Sequence, residues 1–444
     1  MMRPINYVKG ILQNKSARSV GTYIFTNFFA KGISFLLIPL FTNPKYLTPA
    51  DNGLLSLFNS NMVLLAPFVS LGMIQSSTAD YYKKTKGDFA NAFTTNFFIA
   101  AFMALFAALC LFLFRSSLQE KFNFPPSFAL LLPLLAFLIF SGEQLFGLLR
   151  NRNEVRKFAI TGISKSIVEY AVAVVLMVFL LWGWKARIWG IAVSLLVLNL
   201  FAFYYYARNG YLHFAFRKKQ VWEELKFGAP IFVFQLCVFM LGTSNKLFLA
   251  IFDVDKAELG IYSIACVLGT LVGIMSQSIL LYVQPKLYGS ISRGEATLLS
   301  IRKDFFRYFK MLTAVGILCL GVGVFAYYFL INPIYLAGMK YFFIVALSSY
   351  LWGLNYFFFL FLLYYKEKQK ILRVAGISVC CSILVNVIMV KNFGIMGDAL
   401  ASLINTVIFS GLIFIFIRKT IRTTDGVHLV RGIVVTDPLS AGIK

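Results

Sequence analysis

Lys31 stands near the middle of an apolar run over 20–41, where a charged side chain is out of reach of water. Tyr23, Asn27, Lys31 and Ser34 recur at helical spacing, so a helix over this run carries a polar stripe on one face. At 1.5 Å per residue the aqueous boundary is ~15 Å away in either direction. That distance defeats snorkelling, and an unpaired charge at such depth costs about 2.5–3.5 kcal/mol on insertion. A lysine in this position is read first as part of a wet cavity, and its compact ammonium suits a phosphate. Lys246 is a second cation of this kind, nearer the end of its run and expected on one face with Gln235 and Gly242.

Glu143, Lys165 and Glu169 are further charges inside apolar runs. Counted inward from the ends of their runs, Glu143 and Lys165 reach similar depths. That predicts an ion pair tying two helices together, with Glu169 one turn deeper than Lys165. The alternative chemistry is proton coupling, because a carboxylate shielded from water takes up a proton more readily than one in solution. Asn27, Asn59, Asn61, Gln277, Trp352 and Asn355 are candidate contacts for sugar hydroxyls, although such residues also hold membrane helices to one another.

Positioning these side chains takes about twelve membrane helices, each near 20 residues and long enough for the ~30 Å hydrocarbon core. The expected spans are 20–41, 54–76, 92–114, 127–149, 158–182, 186–207, 229–251, 259–283, 309–331, 341–365, 371–390 and 395–417. Composition agrees: 59% of residues are hydrophobic, 14% are charged and mean hydropathy is +0.77. Lys and Arg crowd into every second connection, with roughly a fourfold bias to one side, which places both termini in the cytoplasm. The formal net charge of +24 is therefore spread over loops and forms no continuous basic domain for nucleic acid. All six cysteines lie in apolar segments, so no disulfide framework is expected, and His213 and His428 alone make a metal or other cofactor site improbable. No cleavable signal peptide is expected, since the first apolar run has full span length. The 208–228 link, with Trp222, Glu223, Glu224 and Lys226, reads as an amphipathic surface helix, and the tail over 420–444 as disordered or peripheral.

The chain repeats itself weakly. PADNGLLSL at 49–57 and KAELGIYSI at 256–264 match at an offset of 207, and the same offset pairs Gly190 with Gly397 and Ala192 with Ala399. Six spans per half would share one orientation, related by an axis along the membrane normal. The expected fold is an all-α polytopic membrane protein: two six-helix bundles related by a pseudo-two-fold, facing a central cavity. The expected divisions are a first bundle over 1–210, a cytoplasmic linker over 211–228, a second bundle over 229–418 and a cytoplasmic tail over 419–444.

IPLFTNPKYLTPADNGLLSLFNS (38–60) resembles the first-loop signature of polysaccharide-biosynthesis flippases of the MOP exporter superfamily. QSSTADYYKK (75–84), LLRNRNEVRKFAITGIS (148–164) and NFGIMGDALASLI (392–404) resemble later landmarks in the same order. The span number looks like that of Wzx-type O-antigen flippases. The chain departs from the family pattern at Asn245-Lys246 and at Asp398. The resemblance implies a transporter in the bacterial inner membrane, not an enzyme. Its cargo would be undecaprenyl pyrophosphate bearing a short oligosaccharide, and other polysaccharide-assembly proteins are implied as partners. Lys31, Lys246, Asn27, Asn59, Gln277 and Asn355 would then contact cargo, with Glu143, Glu169 and Lys165 as coupling candidates. A multidrug antiporter of the same superfamily is the near alternative. A polysaccharide polymerase or glycosyltransferase would need a large extracytoplasmic catalytic loop, and the loops here run to about a dozen residues.

Overall fold

A computed structural model of the protein describes residues 22, 25, 26, 29, 32–122, 126–213, 218–242, 244–252, 254–293, 298–364 and 368–425. The described residues form helices and connections, with no strand among them. Ahead of the first long helix lies α1 (Ile38–Phe41), followed by α2 (Pro49–Ser70), α3 (Met73–Lys83), α4 (Lys86–Leu113), α5 (Arg115–Phe122) and α6 (Pro126–Asn151). Next come α7 (Val155–Phe179), α8 (Trp184–Arg208), α9 (Lys218–Gly242), α10 (Asn245–Ile251), α11 (Lys256–Gly269) and α12 (Leu271–Ser292). The chain closes with α13 (Leu298–Phe329), a 3₁₀ turn at Pro333–Gly338, α14 (Met339–Tyr364) and α15 (Lys368–Asp425).

Ten helices among the described residues are long and apolar enough to cross a membrane. One of these, α15, is two helices joined across Gly394, whose φ of 53° and ψ of −130° interrupt it where two spans were expected. Only part of the first expected span is described, namely residues 22, 25, 26, 29 and 32–41, so it does not count among the ten. Allowing for both, the layout agrees with about twelve spans. One difference is instructive. The expected surface helix of the 208–228 link and the following span are a single helix, α9, running unbroken through Gly228. The tail is helical to Asp425, and beyond it lies outside the described residues.

Local chemistry sets the ends. At the start of α2 the Thr48 hydroxyl accepts from Asp51 N at 3.2 Å, while the Asp51 carboxylate accepts from Thr48 N at 3.0 Å. This reciprocal cap satisfies amides the helix leaves unpaired, and Pro49 presets φ at the first turn. The helix stops at Leu71 (φ 42°) and Gly72 (φ 76°), a left-handed pair that turns the chain into α3.

The described residues fall into two compact units. One gathers those up to Ile264 with Tyr327–Gly338 and Val390–Asp398, and the other gathers the rest. The first is built on an aromatic ladder in which Phe93 lies 5.0 Å from Tyr206 and Phe97 lies 5.3 Å from Phe140. Within this unit the two repeated segments touch. A Cβ on Gly53 would collide with the Lys256 carbonyl, and one on Gly260 would collide with the Pro49 carbonyl. Pro49 and Lys256 are equivalent at the repeat offset, as are Gly53 and Gly260, so the contact is reciprocal in the way a two-fold axis requires. Beside it Asn52 donates to Phe41 O at 2.9 Å and to the Tyr335 hydroxyl at 2.7 Å. In the second unit Tyr308 stacks on Phe357 at 5.5 Å and donates to Gly353 O at 2.6 Å.

Candidate functional site

Helices α7 and α8 cross where Gly190 has no side chain. A Cβ there would lie 2.5 Å from the Glu169 carbonyl oxygen and 2.9 Å from the Ala173 Cβ. That close approach brings Arg187, on the preceding turn of α8, to the acidic group of α7. Arg187 Nη2 is 3.9 Å from one Glu169 oxygen, and Lys165 Nζ is 3.8 Å from the other. The side chains of Arg187 and Glu169 are each 15% exposed and that of Lys165 31%. Phe41 and Tyr170 flank the guanidinium, with ring centroids at 4.5 and 4.8 Å. Both ion contacts are too long for hydrogen bonds, and Arg187 Nη1 is buried with no hydrogen-bond partner. Two cations thus share one carboxylate inside the spans, leaving a net positive charge and an uncommitted planar donor. Such a group can receive an anionic oxygen in forked geometry while the rings hold the guanidinium plane. Arg187 is absent from the expected residues because, as the second residue of the 186–207 run, it reads as a boundary charge.

Lys246 occupies different surroundings from those expected. Helix α9 ends at Gly242 and α10 starts at Asn245, with Ser244 N bonded to Phe239 O at 3.1 Å and Ser244 Oγ to Met240 O at 2.6 Å. Lys246 therefore does not continue the helical face of Gln235 and Gly242. It is half-buried, and it shares its surroundings with Asp398, which is fully buried on the first turn after the Gly394 break. Tyr262 and Lys246 are the side chains that act electrostatically on Asp398, and neither carboxylate oxygen has a well-formed hydrogen bond. The two departures from the family pattern thus fall together in space.

Two further charge clusters tie helices of the first unit together. Ser76, Asp80 and Lys84 repeat every four residues along α3 and meet Glu224 of α9. Glu224 is 3% exposed and accepts from Ser76 Oγ and, at 3.0 Å, from Lys84 Nζ. Lys84 also reaches Asp80 at 2.8 Å. Gly72 and Gly228 let the two backbones approach one turn away. Burial works against the Lys84 ammonium, but its hydrogen bonds to Asp80 and Glu224 outweigh it and hold the group above the ordinary lysine value. In the second cluster Glu154 meets Lys157 Nζ at 2.7 Å and Arg152 Nε at 2.8 Å. Burial would raise the Glu154 carboxyl, yet these cations and the Tyr205 hydroxyl hold it below its ordinary value. Arg152 continues to Asn209 Oδ1 at 2.6 Å, tying the α6–α7 turn to the end of α8.

The remaining expected residues separate. Glu143 is exposed on α6 and forms no ion pair with Lys165, whose partner is Glu169. Similar distance from the helix ends does not determine the direction in which each side chain points. Asn59 is exposed on α2, while Asn61 is bonded to Leu57 O at 2.9 Å. In the second unit Gln277 is exposed and donates to the Tyr356 hydroxyl at 3.4 Å. Asn355 is buried and directed at Thr406 O, beside a hydroxyl cluster of Ser348, Ser402 and Thr406. Trp352 stacks on Phe409 at 4.6 Å. Lys31, Asn27 and Tyr23 lie outside the described residues.

Residues 16–288 match the model of the family described as polysaccharide biosynthesis protein. No curated protein sequence matches the chain. Among solved structures, an inward-facing multidrug resistance MATE family transporter of the MOP superfamily is 14% identical. It aligns over 89% of this chain and 99% of its own with a TM-score of 0.66. The lipid II flippase MurJ in an inward closed conformation is also 14% identical, over 89% of this chain and 87% of its own, with a TM-score of 0.68. An outward-facing MATE transporter aligns over 94% of this chain and 98% of its own at 14% identity and a TM-score of 0.58. These likenesses establish the fold.

Proposed function

The chain belongs to the polysaccharide biosynthesis protein family, and from that premise we propose that it is a flippase for an anionic lipid-linked oligosaccharide. The cargo is undecaprenyl pyrophosphate carrying an O-antigen repeat unit, moved from the cytoplasmic to the outer leaflet of the inner membrane by alternating access. The observation that carries this reading is the Lys165–Glu169–Arg187 cluster, a net positive group with an unpartnered guanidinium nitrogen inside the spans. A hydrated sugar and its pyrophosphate must cross an apolar medium while the prenyl tail stays in lipid. The protein therefore has to offer fixed cations where water is scarce, and intramembrane cations cost too much to retain without such work.

In this reading Arg187 and Lys165 take the pyrophosphate, with Lys31 as a third cation on the polar stripe of the first span. Glu169 neutralises one cation when the cavity is empty and is the coupling carboxylate. Lys246, with Asp398 as its counter-ion, is secondary. Asn59 and Gln277, each exposed on its own helix, are candidate sugar contacts, and Glu143 is a second coupling candidate, whereas Asn355 holds helices together. The halves that rock against each other are 1–210 and 229–418, joined by the 211–228 link, with both termini in the cytoplasm.

A strain lacking the protein should accumulate lipid-linked oligosaccharide on the cytoplasmic leaflet, and the wild-type chain should restore surface polysaccharide. Arg187→Ala, present in membranes at normal amount, should fail to restore it. Full restoration by that variant would remove the site from the proposal. The multidrug alternative is favoured by the MATE likeness alone. It predicts hypersensitivity to cationic drugs in the same strain with normal surface polysaccharide.

A further inference from the structure

Helix α13 has 32 residues, ~48 Å at helical rise, whereas about 20 residues cross the hydrocarbon core. The surplus is its beginning, where Arg302, Lys303, Arg307 and Lys310 stand on the opposite side from a rigid seam. On that seam Tyr308 and Leu312 are wholly buried against Phe357, Leu360, Val283 and Leu287. On the outer side the four cations, with Phe306 and Met311, line an open groove of about 610 Å³. Lys303, Arg307 and Lys310 follow at spacings of four and three residues, on adjoining turns of one face, and Arg302 lies beside Phe306 four residues on. The Arg302 guanidinium lies 5.7 Å from the Phe306 ring, which steadies it, and one carboxylate, Asp304, approaches Arg307 at 3.7 Å. All four cations are exposed, so the groove is strongly positive and ready for a ligand.

We propose that this groove binds the phosphate of an anionic lipid headgroup in the leaflet where α13 enters the membrane. Three observations favour lipid. The groove lies on the part of the helix in excess of what the hydrocarbon core takes up, and its cations are interleaved with the exposed apolar side chains of Leu299 and Phe306. Its charge also exceeds what its own acid can offset. Clusters of four or more Lys and Arg beside a span are the chemistry that phosphate-bearing lipids recognise. The site is separate from the Lys165–Glu169–Arg187 cluster and does not rest on the transport reading.

The test uses the full chain in detergent, with native mass spectrometry counting retained phosphatidylglycerol against phosphatidylcholine. Wild-type protein should retain phosphatidylglycerol preferentially, and less so as salt rises from ~50 to ~500 mM. Each charge at such a surface is worth about fivefold in partitioning. Arg302→Gln/Lys303→Gln/Arg307→Gln/Lys310→Gln should therefore weaken retention at least ~10-fold. Lys83→Gln/Lys86→Gln/Lys218→Gln/Lys219→Gln, which removes as many exposed cations elsewhere, should not. If the quadruple variant does not reach the membrane, the doubles Arg302→Gln/Arg307→Gln and Lys303→Gln/Lys310→Gln carry the comparison, each with a loss of several-fold. Displacement of phosphatidylglycerol by a long-chain polyprenyl pyrophosphate would support the site and show that cargo also uses it. Failure to displace would support it with bulk lipid as occupant. Equal loss in the groove and control variants, or no loss in either, overturns the proposal.

Discussion

Removing the Lys84 ammonium should unbalance the clasp between α3 and α9 more than any other single change there. In Lys84→Met, Glu224 keeps only the Ser76 hydroxyl and stays 3% exposed, a buried anion with no counter-charge. Breaking a buried pair in this way costs about 3–5 kcal/mol. The Lys84 side chain is 29% exposed, so water relieves part of the loss and we expect about 2–3 kcal/mol. Glu224→Gln is milder, about 1–2 kcal/mol, because the amide still accepts from Ser76 and Lys84 keeps Asp80. The fully neutral Asp80→Asn/Lys84→Met/Glu224→Gln variant should recover at least half of the Lys84→Met loss, since no charge is left stranded. Midpoints of thermal unfolding in detergent, followed by fluorescence-detected size exclusion, give the order wild type, Glu224→Gln, triple variant, Lys84→Met, with the middle two close. A triple variant no better than Lys84→Met, or Lys84→Met indistinguishable from wild type, refutes the reasoning.

Gly53→Ala should lower membrane abundance, with overpacking of about 1–3 kcal/mol, because its methyl would strike the Lys256 carbonyl. Gly321→Ala, with nothing within 4 Å, should not. Asn355→Leu should reduce thermal stability by about 1 kcal/mol and leave transport per molecule unchanged; normal stability with impaired transport would make Asn355 a cargo contact instead. The Glu154 carboxyl sits below its reference value of 4.5, so its contribution to stability is complete above that pH and fades as the pH falls through the lowered value. Glu154→Gln should accordingly weaken the protein at neutral pH and flatten the acid limb of its stability profile, and an unchanged acid limb would show that the cluster is not the source.

The spans were legible because length and hydropathy are local properties; the repeat at one offset marked Gly53 and Gly260 as equivalent positions, but not that their backbones touch. Partnership was not. Glu224 looked like a solvated residue of a surface helix, since nothing in its neighbourhood announces Ser76 and Lys84, about 140 positions away. Arg187 reads as a boundary charge at the start of the 186–207 run, and nothing local announces Glu169, Phe41 and Tyr170, which meet it from elsewhere in the chain. Glu143 and Lys165 were expected at similar depth, but azimuth around a helix is set by packing at places such as Gly190, which hydropathy does not encode. Lys246 was assigned a face by continuing a helix that in fact stops at Gly242.

Translocation of a lipid-linked anion is the defining act of the proposed flippase. Purified protein reconstituted into liposomes with polyprenyl-pyrophosphate-linked oligosaccharide confined to one leaflet allows a membrane-impermeant lectin to report sugar arriving on the other. The expected result is protein-dependent appearance of sugar, reduced at least ~10-fold by Arg187→Ala at equal reconstitution, a loss of about 1.4 kcal/mol or more in barrier terms. Sugar that stays on its original leaflet in wild-type liposomes, while the same liposomes accumulate a cationic drug, would contradict it.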